Sequence, residues 1–460
     1  MNFISRFIEP NDPNIRPSDR FPNQALKAMI IPLLIEQLLQ LIVGIADTMM
    51  VSYAGEAVVS GVSLDTMIYT IFIYLFTAVA GGGSVVVSQY IGSRSREKSD
   101  QAASQVYFLA GVTSIVCTVL MLLFGRALLG LLYPNVEQGV KDACRVYLWI
   151  VTLSFPANAL YNAGAAIYRA MGKTDVTMKV SIAMNLLNVA GNAIGIFVLH
   201  AGAAGVAWPT TISWYFAAIV MTFLCFRENN PATLRVSHLF RPEGEMLQRI
   251  LGVAVPNAAE NTLFQLAKVL LGTLIATFGT AQIAANGIGQ TIWSLAAMVS
   301  IAMGSLCITV IGQCIGAGDE DAADYYLRKL TRLSLVLCII WNIIVLALTP
   351  LILPLYKISD EAKHYVLIIV IIHNCFCSFA QPYSSTLSSG LRAAGDVKFT
   401  MYASIFCTVF FRTLMSFVLG LWLGLGVIGT SLAMGLDWVL KGILDVRRYR
   451  SGKWRGRIII

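Results

Sequence analysis

The stretch LIVGIADTMMVSYAG, residues 41–55, is apolar apart from one carboxylate, Asp47, and no Lys, Arg or His occurs between Lys27 and Arg94 to neutralise it. The apolar run around Asp47 is long enough to span a bilayer, which takes about 20 residues of helix. An ionised acid there costs about 2.5–3.5 kcal/mol on insertion scales, so such a residue normally faces a wet cavity or carries an ion or a proton. Read as a membrane-spanning helix, the stretch sets the fold class and poses the functional question together.

The rest of the chain has the same character. Of 460 residues, 57% are hydrophobic and only 13% charged, against about 25% charged in average soluble proteins. The mean hydropathy is +0.71. An all-α polytopic membrane protein is expected. Residues 1–26 carry six charges and four prolines, which is no secretory signal; a short polar tail is expected. The nine cysteines form no CxxC pair, so neither a disulfide framework nor a zinc site is expected.

Polar and Gly/Pro punctuation divides the chain into twelve predicted helices: 27–53, 58–91, 101–124, 142–168, 175–199, 203–226, 249–277, 282–315, 325–348, 361–389, 397–421 and 426–446. With the N-terminus inside, 26 of the 33 Lys and Arg fall on the cytoplasmic side. Five (Arg126, Lys141, Arg145, Lys357, Lys363) fall outside, and Lys268 and Arg412 lie within helices. This is the asymmetry of the positive-inside rule, so the net charge of +8 reads as topology and not as nucleic-acid binding.

The two halves repeat. A shift of 224 residues brings Pro32 onto Pro256, Glu36 onto Glu260, Gly55 onto Gly279, Gln89 onto Gln313 and Gly92 onto Gly316, with eleven of 61 ungapped positions identical. YRAMGKT at 168–174 matches LRAAGDV at 391–397, and GAAG at 202–205 matches GVIG at 426–429. Six helices per half return the chain to its starting side, so the repeats are parallel and related by a pseudo-two-fold along the membrane normal. The expected organisation is a tail 1–26, an N-lobe 27–226, a cytoplasmic linker 227–248, a C-lobe 249–446 and a basic tail 447–460.

The stretches ADTMMVSYAGEAVVSGVSL, VSQYIGSRSREKSDQA, YRAMGKTDVTMK, MNLLNVAGNAIG, VIGQCIGAGDEDAA, LRAAGDVKFT and DVRRYRSGKW, in this order and spacing, resemble the multidrug and toxic compound extrusion (MATE) transporters from end to end, the bacterial members above all. The resemblance implies two six-helix lobes that open alternately. It implies export of organic, mostly cationic amphiphiles against inward H⁺ or Na⁺, by a multi-pass protein of the plasma (inner) membrane with both termini cytoplasmic. No cofactor beyond the coupling ion is expected, the partners being small molecules and the bilayer, and a monomer is the default.

Helix 5 offers companions for Asp47. Asn185, Asn188 and Asn192 lie within eight residues, and the last two share a face one turn apart. Amide carbonyls are hard oxygen donors for a cation such as Na⁺, although Asn also joins transmembrane helices. In the family, an acid in helix 1, two side chains a turn apart in helix 5 and a Thr opening helix 6 form a cation site. Asp47, Asn188, Asn192 and Thr210 occupy those positions, with Asn192 standing where some members carry Asp.

Candidates for a substrate cleft are Glu36, which faces the same way as Asp47 eleven residues on, its mate Glu260, and Lys268, whose counterpart is Gly44. Tyr69, Trp293, Met298 and Gln381 complete the set, since aromatic and Met walls accept flat cations. The mate of Asp47 is Leu271, and within its apolar run helix 10 offers only His373, Asn374 and Gln381. The cation site is therefore expected in the first lobe. Asp437 and Lys441, one turn apart, read as an ion pair. A flippase for a lipid-linked precursor is the alternative, disfavoured because only Lys268 and Arg412 would supply its basic cavity. No HExxH, nucleophile motif or P-loop is present, so neither an enzyme nor an ATP-driven pump is expected.

Overall fold

The computed structural model describes residues 7–10, 18–133, 136–356 and 358–460. Arg6, Arg16 and Lys357, counted above in the charge asymmetry, lie outside the described residues. The described chain is helical: α1 (Asn23–Ser52), α2 (Glu56–Gly92), α3 (Arg96–Leu132), α4 (Gln138–Thr152 and Phe155–Ala170, bent by 47°), α5 (Thr174–Val198), α6 (Ala204–Cys225), α7 (Gly244–Ala276), α8 (Thr280–Gly316), α9 (Glu320–Ile352), α10 (Asp360–Phe379), α11 (Val397–Trp422) and α12 (Gly426–Arg450). Ten of these are long and apolar enough to cross a membrane, and the bent α4 makes eleven. The remaining one, α7, is 33 residues long but is interrupted by Pro256, Asn257, Glu260, Asn261, Gln265 and Lys268. Counting it gives the expected twelve. Exposed Ile115, Val119 and Leu123 on α3, and Ile340, Ile343 and Leu351 on α9, form apolar rows suited to lipid.

Residues 31–258 form one compact unit, and residues 259–460 with the chain up to Ile30 form the other. The repeat is visible in the backbone of each. Left-handed turn residues recur at Gly55 and Gly279 (φ 103° and 96°), Arg94 and Gly318 (59° and 72°), Gly172 and Gly395 (77° and 97°), His200 and Gly424 (47° and 69°), and Gly202 and Gly426 (both 55°). A Cβ disfavours this region, so the repeat is strictest where the chain must reverse. Asp319 and Ser359 cap α9 and α10, their side chains accepting from the N–H of Ala322 (2.9 Å) and Ala362 (3.2 Å).

Each unit also ties its ends down in the same way. Asp100, at the start of α3, accepts from the Thr233 N–H (2.7 Å) and Arg235 Nε (3.1 Å) of the segment after α6. Asp324, 224 residues on, accepts from the Tyr449 hydroxyl and from Arg455 Nη2 (3.2 Å) in and after α12. The N-terminal segment packs on the second unit, where the Phe21 N–H donates to the Tyr326 hydroxyl (2.7 Å).

Candidate functional site: an acid and amide cluster in the first unit

Two glycines bring the site together. A Cβ on Gly195 of α5 would lie 2.0 Å from the Gly205 carbonyl oxygen of α6, and one on Gly191 would lie 2.6 Å from Pro209 Cβ. In a bilayer, helices associate through such small-residue contacts. Here the backbones of α5 and α6 touch, and the polar residues one turn away face each other. Beyond Ala193, α5 widens into π turns over Ile194–Val198, a feature frequent at functional sites.

Asn192 Nδ2 donates to Asp47 Oδ1 at 2.9 Å and lies 3.2 Å from Asn188 Oδ1. One end of the Asn188 amide is 3.0 and 3.2 Å from the two Asp47 oxygens, and its other end is 3.2 Å from Thr210 Oγ1. With its NH2 toward Asp47, Asn188 donates to the carboxylate and accepts from Thr210. With its oxygen toward Asp47, two acceptors meet, and a proton on Asp47 or a cation between them is required. The buried Asn192 Oδ1 has no hydrogen-bond partner. Asp47, Asn188, Asn192 and Thr210 thus meet through α1, α5 and α6; turning the Asn188 and Asn192 amides would bring their oxygens beside the carboxylate, a donor set of the kind that hard cations select. Asn185 instead bonds Ser181 Oγ at 3.3 Å.

The other sequence-selected residues lie elsewhere. Glu36 is buried and pairs with Arg169 Nη2 at 2.5 Å, with Thr177 Oγ1 donating at 3.1 Å. Glu260 repeats this with Arg392 Nη2 at 2.6 Å and has Lys441 at 3.8 Å. Each matched acid thus meets the matched Arg of the YRAMGKT and LRAAGDV stretches. Tyr69 packs on Phe155 (5.9 Å between rings), and Met298 is buried in α8. The Gln381 carbonyl accepts from Ser300 Oγ at 3.2 Å. Trp293 stacks on Trp438 at 6.0 Å and lines a cavity with Lys268.

Asp437 does not pair with Lys441. It is fully buried, takes Arg412 Nη2 at 2.5 Å and accepts from Thr408 Oγ1 at 3.3 Å. A cation on a facing helix reaches that buried carboxylate, whereas Lys441 extends toward Glu260.

Two buried acids, Asp65 and Asp445, escape the sequence reading, and Asp65 lies within a span. Asp65 of α2 is fully buried, and neither carboxylate oxygen makes a hydrogen bond of normal geometry. It sits one turn after Gly61, which packs on Val140, Ala143 and Cys144 of α4. The signal that marked Asp47, an acid in an apolar run far from any cation, marks Asp65 equally.

A family model, MatE, matches the chain twice, over residues 32–194 and 256–418. The chain belongs to the MatE family. The two matches are offset by the same 224 residues as the internal repeat. Members of the MatE family are transporters, so the chain is a multi-pass membrane transporter and not an enzyme. An uncharacterised transporter of Bacillus subtilis, YisQ, is 28% identical over 95% of this chain and 96% of its own length. A probable multidrug resistance protein of Thermotoga maritima, NorM, is 24% identical over 97% of each. Among solved structures, a MOP superfamily transporter of Pyrococcus furiosus superposes with a TM-score of 0.86 at 19% identity over 98% of both chains. A MATE structure in the bent conformation gives 0.84 at 18% identity, covering 98% of this chain and 97% of that one. These likenesses show that the MatE fold is shared.

Proposed function

We propose that this chain is a secondary antiporter that exports organic amphiphiles, drugs or metabolites in exchange for inward H⁺ or Na⁺ by alternating access. The observation that carries the reading is the cluster of Asp47, Asn188, Asn192 and Thr210. It offers a carboxylate and amide oxygens that bind a cation in one state and close on themselves, through the Asn192 to Asp47 hydrogen bond, in the other. A cation and a substrate that stabilise opposite states of the transporter are coupled by that difference in affinity. The names of the relatives from T. maritima and Staphylococcus haemolyticus, the latter a multidrug export protein 25% identical over 58% of each chain, support drugs as substrates. The bacterial relatives support the plasma membrane, the Lys and Arg distribution supports both termini being cytoplasmic, and a monomer suffices because each unit holds its own polar cluster.

The test is transport by the wild-type protein in proteoliposomes. Ethidium efflux is followed while a pH gradient or a Na⁺ gradient is imposed separately. Efflux under one gradient names the coupling ion. Equal dye movement with and without either gradient would remove the antiport reading.

A further inference from the structure

The second unit contains a cavity of about 90 Å³ between α7, α8, α10, α11 and α12, and none of its thirteen lining residues is Asp or Glu. Two are cations, Lys268 and Arg412. Arg412 is neutralised by Asp437. No carboxylate lies within ion-pair distance of Lys268 among the described residues; its ammonium lies 5.9 Å from the Phe264 ring, and the Arg412 guanidinium lies 5.5 Å from the same ring. Lys268 is itself exposed, so its ammonium is open to a solute that reaches the cavity.

The rest of the wall is neutral. His373, only 1% exposed, lines the cavity but turns its ring to the Gly289 backbone, and the Trp293 indole N–H lies against Cys377 Sγ. One ammonium without a carboxylate partner thus meets a void whose lining holds no acid. Its volume is about that of three waters in the liquid, which suits a single carboxylate or sulfonate and not a whole drug.

We propose that this cavity binds the anionic group, a carboxylate or sulfonate, of an aromatic or zwitterionic substrate. Lys268 makes the charge-assisted contact, and the aromatic body packs on Phe264. The site adds anion-bearing aromatics to the substrates of the antiport reading, and its role in transport rests on that reading, while its occupancy is measurable without transport.

The experiment is binding to the purified full-length protein in phosphatidylcholine nanodiscs, read by tryptophan fluorescence. Two probes of matched size and opposite charge are used, naphthalene-1-sulfonate and naphthalen-1-ylmethylammonium. Wild type binds the sulfonate saturably below about 1 mM. Lys268→Met weakens sulfonate binding about tenfold or more without weakening the ammonium probe, and Lys268→Arg retains the affinity to within about threefold. Absence of saturable sulfonate binding to wild type, or equal binding to Lys268→Met, overturns the proposal. Sulfonate binding that persists where neither ethidium nor naphthalene-1-sulfonate is moved by either gradient sinks the antiport reading and leaves this one standing.

Discussion

At matched positions of the repeat, α1 carries Gly44 and Asp47 where α7 carries Lys268 and Leu271. On the helices facing them, the first unit has Asn188, Asn192 and Thr210, while the second has Arg412, Ser416 and Met434. What surrounds these positions hardly differs. Both units turn at the same left-handed residues, both bury a Glu–Arg pair of the same residues, and the close contact of α5 with α6 at Gly195 and Gly205 returns between Leu419–Gly420 and Gly429. What is repeated holds the helices together; on our proposals, what is not repeated meets the ion and the substrate. One scaffold carries an acid site in one unit and a basic cavity in the other.

The largest expected effect falls on the unrepeated part. Asp47→Asn removes the only charge of the first cluster while keeping its shape, and gradient-driven ethidium efflux in proteoliposomes falls by about 100-fold or more, with folding retained by circular dichroism. Next come the repeated ion pairs, which the two units partner unequally. Arg169→Met leaves Glu36 buried with only the Thr177 hydroxyl and costs about 3–5 kcal/mol. Arg392→Met leaves Glu260 near Lys441 and costs about half as much. Thermal unfolding in detergent ranks the two, and the opposite order would show that Lys441 does not compensate.

A smaller effect separates the two helix crossings. Gly195→Ala puts a methyl 2.0 Å from a carbonyl oxygen and disturbs the turn after Asn192, whereas Gly420→Ala meets its nearest atom at 3.1 Å. The first costs about 1–3 kcal/mol and weakens coupling; the second costs less than about 1 kcal/mol. The smallest effect is at Glu9. Burial raises its carboxyl pKa, but Lys329 at 2.8 Å and the Tyr325 hydroxyl hold it below the ordinary 4.5. Its folded-state pKa being depressed, the contact contributes in full above about pH 4.5 and is lost as pH falls through the lower folded value. Amide protection around Phe21, relative to the intrinsic exchange rate at each pH, should therefore fall as the pH drops below 4.5, and not in Glu9→Gln, which lacks the charge at any pH.

Much of this was legible in the sequence because the membrane restricts what a chain can do. Apolar runs and the placement of Lys and Arg give the spans, and the 224-residue shift gives two like halves. Asp47 was found because nothing near it in sequence carries a compensating charge, and Asn188 and Asn192 because one turn of helix puts them on one face. Long-range pairs were not legible. Glu36 and Arg169 are 133 residues apart, and only the fold shows that two separately conspicuous repeat residues meet. Asp437 was matched with Lys441 because one turn of helix is the only neighbourhood a sequence displays, yet its partner is across the helix packing at Arg412. Asp65 carried the same signal as Asp47 and was passed over because no polar companion stands out near it in sequence.

The central claim is that the coupling cation is carried in the first unit. The most direct measurement follows cation release from purified protein in nanodiscs when ethidium is added. Protons are read with an indicator dye in a weakly buffered, Na⁺-free medium, and sodium with a radioactive tracer. Wild type and Lys268→Met should each release one of the two cations, and Asp47→Asn neither. Release from Asp47→Asn equal to that of wild type would contradict the account and place the coupling site elsewhere in the chain.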